Sequence, residues 1–315
     1  MKPARTENIA TALRRNIQKV IIGKDDVIDL VLTALLARGH ILIEDVPGLG
    51  KTLLAKALAR SIDSSFQRIQ FTPDLLPSDV TGNSFYNDRE HAFEFRRGPV
   101  FANILLGDEL NRATPRTQSA LLEAMEEHQV TVDGQTHPLP PLFFVAATQN
   151  PVEQQGVYTL PEAQLDRFLM QISVGYPARA DEIAIIQGQI ETTPLDSLQP
   201  VAKIEDVVAA QKQVRQVHAD ETIADYVVRI AEASRTHPDV ILGASPRGSL
   251  GLLVAAQAMT FLSGADYVSP DTVKKLAAPV LRHRLMLKPT SVLAGRTPDQ
   301  VIHDVLDRAE LPLGF

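Results

Sequence analysis

The sequence contains no cysteine, so disulfides, zinc–thiolate sites and thiol nucleophiles are all excluded. It also has no apolar run near the roughly 18 residues that cross a membrane. The longest such runs, 31–37 and 250–256, are short enough to be buried helix faces. Residues 1–8 are polar and lack the apolar core of a signal peptide. We therefore expect a soluble cytoplasmic protein, and the absence of cysteine fits a reducing compartment.

Positive charge is also in short supply. Lys and Arg number 31 against 38 Asp and Glu, which gives a net charge of −7 and a pI of about 5.6. A general polyanion-binding surface is therefore disfavoured, although a local basic patch is not excluded. The length of 315 residues and the hydrophobic content of 44% are those of a globular protein with about two domains.

What the chain does contain, at residues 41–52, is the pattern of a phosphate-binding loop. An apolar strand pattern ends at a glycine-rich turn, and a helical pattern begins directly after it. Gly48 and Gly50 allow backbone N–H groups to surround phosphate oxygens, and the positive end of the new helix faces the same anion. Lys51 supplies a charge for the β- and γ-phosphates, and Thr52 supplies a hydroxyl for Mg²⁺. The predicted nucleotide-binding residues here are Pro47, Gly48, Leu49, Gly50, Lys51, Thr52 and Leu53.

Two adjacent carboxylates, Asp108 and Glu109, end a second apolar strand pattern. The strand end could simply emerge into solvent here, but two adjacent acids are awkward for packing alone, because buried carboxylates must be paired or bind a metal. Downstream of a phosphate-binding loop, we predict that Asp108 holds Mg²⁺ and that Glu109 is the general base for a water nucleophile. Asn150 ends the next strand pattern, at the edge where α/β sheets place their ligand crevice. It would orient a water beside the γ-phosphate, or else serve as a turn residue before Pro151.

Three further stretches have both a functional and a structural interpretation. An apolar loop before the nucleotide-binding strand could receive an adenine ring or could simply pack in the core. Its residues are Val20, Ile21, Ile22 and Gly23. Arg167 lies next to Asp166, and the two could form a local ion pair. Arg247 lies at the start of a predicted helix, and it could be a nucleotide-sensing arginine or a solvent-exposed residue. Because a cation is mildly unfavourable at the positive end of a helix dipole, the nucleotide-sensing interpretation is favoured.

Together these stretches resemble the AAA+ ATPases, and within them the MoxR family. The motifs that match are E-D-V-P-G-L-G-K-T at 44–52, D-E-L-N-R-A at 108–113, A-T-Q-N-P at 147–151, L-P-E-A-Q-L-D-R-F at 160–168 and S-P-R at 245–247. They occur in the family's order and cover nearly the whole chain. Asp45 stands where the general phosphate-loop pattern has its first glycine, but the MoxR version commonly carries an aspartate there.

The resemblance also implies roles for single residues. It implies that Lys51 and Thr52 are the Walker A residues and that Asp108 and Glu109 are the Walker B residues. It also implies that Asn150 is sensor 1, Arg167 the arginine finger and Arg247 sensor 2. Arg112 is the alternative for the trans-acting arginine, and Thr72 or Gln70 could restrain Glu109 before assembly. An arginine finger from a neighbouring subunit typically raises the hydrolysis rate by about 10³–10⁵. This corresponds to an activation free energy lowered by roughly 4–7 kcal/mol. Since this arginine cannot reach its own nucleotide, activity would require a homo-oligomer, a hexameric ring or spiral.

The fold implied is a RecA-like α/β P-loop AAA+ core with a parallel sheet at 1–177, followed by a small all-helical lid at 178–315. The sequence agrees, because strand signals stop beyond Gly175-Tyr176-Pro177. Two hairpins are predicted in the core, a helix-two insertion near 85–99 and a pre-sensor hairpin near 129–137, the latter with an Asp133-Gly134 type I′ turn. The predicted lid helices are 181–191, 204–217, 223–235, 248–262, 271–287 and 298–309.

We therefore expect an ATP-hydrolysing, chaperone-like remodelling ATPase that uses ATP and Mg²⁺. In the family it resembles, such a protein acts on a protein client, often through a partner with a von Willebrand factor A domain. The ATPase subunit of a metal chelatase shares the architecture, and only the partner would distinguish it. A nucleic-acid motor or loader is disfavoured by the acidic balance and by hairpins without aromatic–basic interleaving. A scaffold without turnover is disfavoured by the presence of Glu109.

Overall fold

The computed structural model describes residues 9–150, 157–191 and 194–311. The predictions on residues 1–8 and on Pro151 lie outside these ranges. The strands are β1 Ile41–Glu44, β2 Phe66–Gln70, β3 Gly82–Asn87, β4 Ala92–Arg97, β5 Ile104–Asp108, β6 Gln129–Val132, β7 Gln135–Pro138, β8 Phe144–Gln149, β9 Met170–Ile172, β10 Val240–Leu242 and β11 Met286–Leu287. The helices are α1 Ile9–Gln18, α2 Asp25–Leu36, α3 Lys51–Ser61, α4 Pro77–Thr81, α5 Pro115–Glu127, α6 Glu162–Leu165, α7 Arg179–Glu191, α8 Ile204–Val214, α9 Glu221–Arg235, α10 Pro246–Ser263, α11 Pro270–Leu281, α12 Pro289–Leu293 and α13 Pro298–Arg308. Among the described helices, none has the length and apolarity needed to span a bilayer.

Five strands form one parallel sheet in the order β2-β5-β8-β1-β9. The register runs across the sheet from Ile69 to Gly107, from Gly107 to Ala147, and from Ala147 to Leu42. Because the strands are parallel, all their carboxyl ends meet at one edge, where β1 enters the glycine-rich turn and β5 reaches its two acids. The predicted parallel α/β core is confirmed.

Successive residues of the central strands face two separate hydrophobic clusters. Ile41 and Ile43 belong to the cluster that α1, α2 and α3 cover, whereas Leu42 and Leu105 belong to the cluster that α5 covers. A strand alternates its side chains between the two faces of a sheet. Since both faces are buried, the strands are continuous apolar runs in the sequence.

The two predicted hairpins are present. β3 pairs with β4 in the region predicted near 85–99, and β6 pairs with β7 in the region predicted near 129–137. At the tip of the second hairpin φ is 51° for Asp133 and 78° for Gly134. Positive φ at both central residues is what a type I′ turn requires, so the predicted turn type is confirmed.

The chain after residue 177 is mainly helical, as predicted, but some details of the prediction were wrong. Strands were not expected there, yet β10 and β11 form a short antiparallel ribbon. Runs this short carry no periodicity that a sequence pattern can detect. The helix predicted over 271–287 accordingly ends at Leu281, and a 3₁₀ turn leads from it into β11. α10 packs against α2 within one hydrophobic cluster, and the boundary at residue 177 stays a prediction.

Candidate nucleotide-binding site

Two glycines with positive φ shape the turn between β1 and α3. The φ angles are 89° at Gly48 and 83° at Gly50, and a Cβ added to either would meet no atom within 4 Å. α3 begins at Lys51, so the N–H groups of its first turn have no partner within the helix. Lys51 Nζ donates to the Asp45 carbonyl oxygen at 2.7 Å. Burial lowers the pKa of Lys51, and the charges of Asp45 and Asp108 oppose that shift. The turn thus combines backbone donors with a cation.

Asp45, at the position of the missing glycine, fastens this turn to the segment after β9. Its Oδ2 accepts hydrogen bonds from the Ser173 hydroxyl at 3.0 Å and from the N–H groups of Val174 and Gly175, each at 2.7 Å. Its Oδ1 accepts one from the Val46 N–H at 3.0 Å. Burial alone would raise the pKa of Asp45, but these hydrogen bonds outweigh it and lower the pKa.

The carboxylate of Asp108 is buried at the end of β5 and is held from two sides. Arg68 Nε on β2 donates to Oδ2 at 2.6 Å, and the Thr148 hydroxyl on β8 donates to Oδ1 at 3.2 Å. The Glu109 N–H donates to the same hydroxyl oxygen at 2.9 Å. Three neighbouring strands are thereby tied together at the carboxyl edge. Arg68 and Thr148 were not predicted as site residues, since their contacts depend on which strands are adjacent.

Glu109 has a positive φ of 58°, which a residue other than glycine rarely adopts. Such backbone strain is concentrated at functional sites. The side chain is partly exposed, and its Oε2 lies 3.1 Å from Arg112 Nε. Arg112, the alternative trans-acting arginine, thus contacts the predicted base of its own chain. Gln70, one candidate for restraining Glu109, accepts a hydrogen bond from Arg68 Nη2 at 2.9 Å.

Asn150 is buried at the same edge of the sheet. The preceding residue, Gln149, pairs with Glu44, and its carbonyl oxygen accepts a hydrogen bond from the Asp45 N–H at 3.3 Å. Asn150 therefore follows directly beside the first residue of the glycine-rich turn. This position suits the predicted role of orienting a water near the γ-phosphate, which stays a prediction.

The residues at this edge fit a magnesium ion. The Asp108 carboxylate and the Thr52 hydroxyl are hard oxygen donors, and Mg²⁺ is commonly bound by one or two carboxylates together with substrate phosphates. In the part of the chain that the structure describes, no cluster of three or more His, Asp or Glu side chains could hold a metal alone.

The apolar loop near residue 20 supports both of its interpretations. Val20 and Ile21 are buried in the core, whereas Ile22 is only partly buried and Gly23 is exposed. Gly23 has a φ of 70°, and a Cβ there would lie 2.1 Å from the Asp181 carboxylate. The burial of the first two residues agrees with the core interpretation. An adenine contact by Val20, Ile21, Ile22 and Gly23 stays a prediction.

Arg167 and Arg247 lie together at the opposite edge of the sheet. Both contact Glu126, near the end of α5: Arg167 Nε is 2.9 Å from Oε2, and Arg247 Nη1 is 2.9 Å from Oε1. The Leu169 N–H donates to the His40 carbonyl oxygen at 2.8 Å, which fixes this segment at the amino end of β1. The four residues of β1, about 13 Å at 3.3 Å each, separate it from the glycine-rich turn. The structure does not bring either arginine to the turn of its own chain.

The local ion pair considered between Arg167 and Asp166 is not the contact that forms. Asp166 Oδ1 instead lies 2.5 Å from Nε of Arg284, a residue of the 3₁₀ turn after α11. Neither Glu126 nor Arg284 was predicted as a site residue, because neither belongs to a recognisable motif.

Comparisons with known proteins agree with this geometry. The family described as "ATPase family associated with various cellular activities (AAA)" matches residues 40–170, and the family described as "AAA lid domain" matches residues 232–305. Chaperone MoxR1 of Mycobacterium tuberculosis is 42% identical over 305 residues, which cover 94% of this chain and 80% of that protein. The chain belongs to the MoxR family of AAA+ ATPases.

Two further relatives extend the MoxR-family comparison. Uncharacterized protein YeaC of Bacillus subtilis is 51% identical over 298 residues, which cover 95% of this chain and 93% of that protein. A crystal structure from Cytophaga hutchinsonii superimposes with a TM-score of 0.88 at 37% identity, covering 96% of this chain and 97% of that chain. The RecA-like core, the helical lid and an ATP-hydrolysing activity follow from membership of this family, and the resemblance described above is confirmed.

Proposed function

We propose that this MoxR-family ATPase works as an oligomer in which each ATP lies between two protomers. One protomer would supply the glycine-rich turn with Lys51, together with the two acids, Asp108 and Glu109. The next would supply Arg167 and Arg247. The observation that carries the proposal is the separation of these two groups to opposite edges of one sheet. A contact that joins one edge to the other is heterologous, and such contacts generate rings when the rotation closes and spirals when it does not.

In this arrangement, hydrolysis uses residues from both sides. Glu109 accepts a proton from the water, whose oxygen bonds to the γ-phosphorus as the bond to the ADP oxygen breaks. Asn150 orients that water, and an arginine of the neighbour stabilises the charge on the transferred group. Mg²⁺, held by Thr52 and Asp108, would neutralise charge on the β- and γ-phosphates. Before this can happen, Glu109 must exchange its contact with Arg112 for the water.

We propose that the ATPase uses the free energy of ATP hydrolysis to remodel a protein client. The hairpin of β3 and β4 exposes Phe85, Tyr86 and Phe93 by 43%, 48% and 76% of their surfaces. Exposed aromatic side chains are favoured at protein-binding surfaces. The net charge of −7 disfavours a nucleic-acid client. A partner with a von Willebrand factor A domain is proposed from the family resemblance, and a chelatase-type partner is the alternative.

Two variants and their mixture test the shared active site. We expect Glu109→Gln to lower turnover by about 10²–10⁴ and Arg167→Ala by about 10³ or more. The matched control is Arg229→Ala, which removes an exposed arginine on α9 that pairs with Asp225 and should leave turnover unchanged. Wild-type turnover in either test variant contradicts the roles assigned.

The mixture of the two inactive variants is more specific. In randomly mixed oligomers about a quarter of the interfaces combine an intact Glu109 with an intact neighbouring Arg167, so activity should return to about that fraction. No recovery, or a wild-type specific activity that is independent of protein concentration, contradicts a shared site. Affinity purification with Glu109→Gln in the presence of ATP would then identify the client and partner.

A further inference from the structure

The segment that carries Arg167 is held by the buried arginine Arg284. Only 4% of the Arg284 side chain is exposed. It makes five hydrogen bonds, and a guanidinium group has five N–H donors. The acceptors are the Asp166 carboxylate at 2.5 Å and the carbonyl oxygens of Asp166 at 3.1 Å, Phe168 at 2.7 Å, Leu169 at 3.1 Å and Val280. Four of the five bonds therefore end on the residues that flank Arg167.

Asp166 connects the same arginine to the helix that carries Arg247. Its Oδ2 accepts a hydrogen bond from the Ser245 hydroxyl at 3.2 Å. Ser245 is the N-cap of α10, and its hydroxyl accepts a hydrogen bond from the Gly248 N–H at 3.3 Å. Arg247 lies in the capped turn. One buried guanidinium and one carboxylate thus fix the positions of Arg167, which is partly exposed, and Arg247, which is exposed, relative to each other.

Three arginines and two carboxylates form the ion pairs of this cluster. Arg167, Arg247 and Arg284 are grouped around two carboxylates, Glu126 and Asp166. The exposed fractions of the three arginine side chains are 28%, 46% and 4% respectively. An incoming anion can therefore reach the first two arginines and cannot reach the third. Arg167 and Arg247 are therefore accessible to a phosphate, whereas the buried Arg284 can only hold the segment that carries Arg167 in place.

We propose that Arg284 is a positioning residue for catalysis at the neighbouring protomer. It would not touch nucleotide; together with Asp166 it would hold Arg167 and Arg247 at the spacing needed to reach the phosphates. This inference rests on the proposed function, since it presupposes that these arginines act in trans. Misplacing a catalytic group by about 1 Å can cost about 10²-fold in rate, and the expected effect is of that order.

The test uses Arg284→Lys, which keeps the positive charge but cannot make five planar hydrogen bonds. Arg282→Lys is the matched control: Arg282 lies in the same turn, is partly exposed and pairs with Asp299 at 3.1 Å. We expect turnover to fall by about 10²-fold in Arg284→Lys and to change less than about twofold in the control. The affinity for a fluorescent ADP, measured without turnover, should be unchanged in both, because each protomer's own glycine-rich turn is intact.

Mixing decides between a positioning role and a general structural role. Arg284→Lys mixed with Glu109→Gln should regain activity, because Glu109→Gln protomers donate intact arginines to the sites of Arg284→Lys protomers. Failure to regain activity, when Arg167→Ala does regain it in the parallel mixture, overturns the inference and leaves the proposed function standing. Failure of both mixtures overturns the shared site and the inference with it.

Thermal unfolding of each variant guards against simple loss of the fold. If Arg284→Lys is unfolded at the assay temperature, Asp166→Asn replaces it, since it keeps an acceptor oxygen and removes the charge that faces Arg284. The same mixture then gives the decision: recovery with Glu109→Gln supports the positioning role, and absence of recovery overturns it.

Discussion

Replacing Asp45 with glycine would restore the general phosphate-loop pattern, and we expect this change to destabilise the protein. The carboxylate accepts four hydrogen bonds, and Asp45 itself is only 9% exposed. Ser173 is exposed, so its hydroxyl can bind water instead. Val174 is buried, and leaving its N–H without a partner costs about 1–3 kcal/mol. The added backbone freedom of glycine costs about 1 kcal/mol more. The expected loss in free energy of unfolding is about 2–4 kcal/mol.

The Asp45→Asn substitution removes the charge of the side chain but keeps its size and shape. The amide keeps one oxygen, which can accept from Val174 and Gly175, but its NH₂ group then faces the Val46 N–H, which also donates. We expect about half the loss seen with glycine, roughly 1–2 kcal/mol, because one bond and the charge are removed while the packing is kept. Urea denaturation of both variants and the wild type at pH 7 measures the difference.

The pH dependence of the stability difference tests whether the charge of Asp45 is the cause. Because the pKa of Asp45 is lowered on folding, its contribution to stability is fully present above the unfolded pKa of about 3.9 and is lost as the pH falls through the folded pKa. The gap between wild type and Asp45→Asn should therefore be constant from about pH 5 to pH 8 and shrink in stronger acid. Equal stability of wild type and glycine variant at pH 7, or a gap that widens in acid, would refute the reasoning.

Three other changes have defined outcomes. Arg68→Ala removes a half-exposed partner of Asp108, and we expect at most about a fivefold gain in Mg²⁺-dependent affinity for a fluorescent ADP, with no gain when Mg²⁺ is chelated. Burial lowers the pKa of His40 to about 3, so stability is full above its unfolded pKa of about 6.5 and falls as the pH drops toward 3. Urea denaturation should therefore show about 2 kcal/mol less acid loss between pH 7 and pH 5 in His40→Gln than in wild type. A Cβ on Gly107 would lie 2.9 Å from the Phe71 ring, so Gly107→Ala should lower the free energy of unfolding by about 1–3 kcal/mol in the same assay.

The sequence predicted the features that depend on local order. The glycine-rich turn, the acids that end β5 and the Asp133-Gly134 turn each combine a strong local pattern with a fixed neighbour, and the structure has all three elements at the predicted places. The β10–β11 ribbon was missed because its strands have three and two residues, too few for any period to show.

The missed parts of the site are contacts between distant residues. Arg68 and Asp108 are 40 positions apart, and Arg284 and Asp166 are 118 apart. Sequence spacing carries no information about such pairs, since they form only after the strands have adopted their order. Sequence proximity also misled in the case of Arg167. Its neighbour Asp166 was the obvious ion-pair partner, yet in the fold Asp166 pairs with Arg284 and Arg167 pairs with Glu126.

These distant contacts share one property, which bears on how activity is controlled. At the carboxyl edge Asp108 pairs with Arg68 and Glu109 pairs with Arg112, while at the amino edge Glu126 holds the two arginines proposed to act in trans. These four groups thus each have an ion-pair partner within their own chain. Partly exposed ion pairs of this kind contribute about 0–1 kcal/mol each, so a magnesium nucleotide and a neighbouring protomer can displace them at little cost. The pairs would therefore not oppose assembly, and under the proposed function both edges would exchange partners when a magnesium nucleotide and a neighbouring protomer arrive.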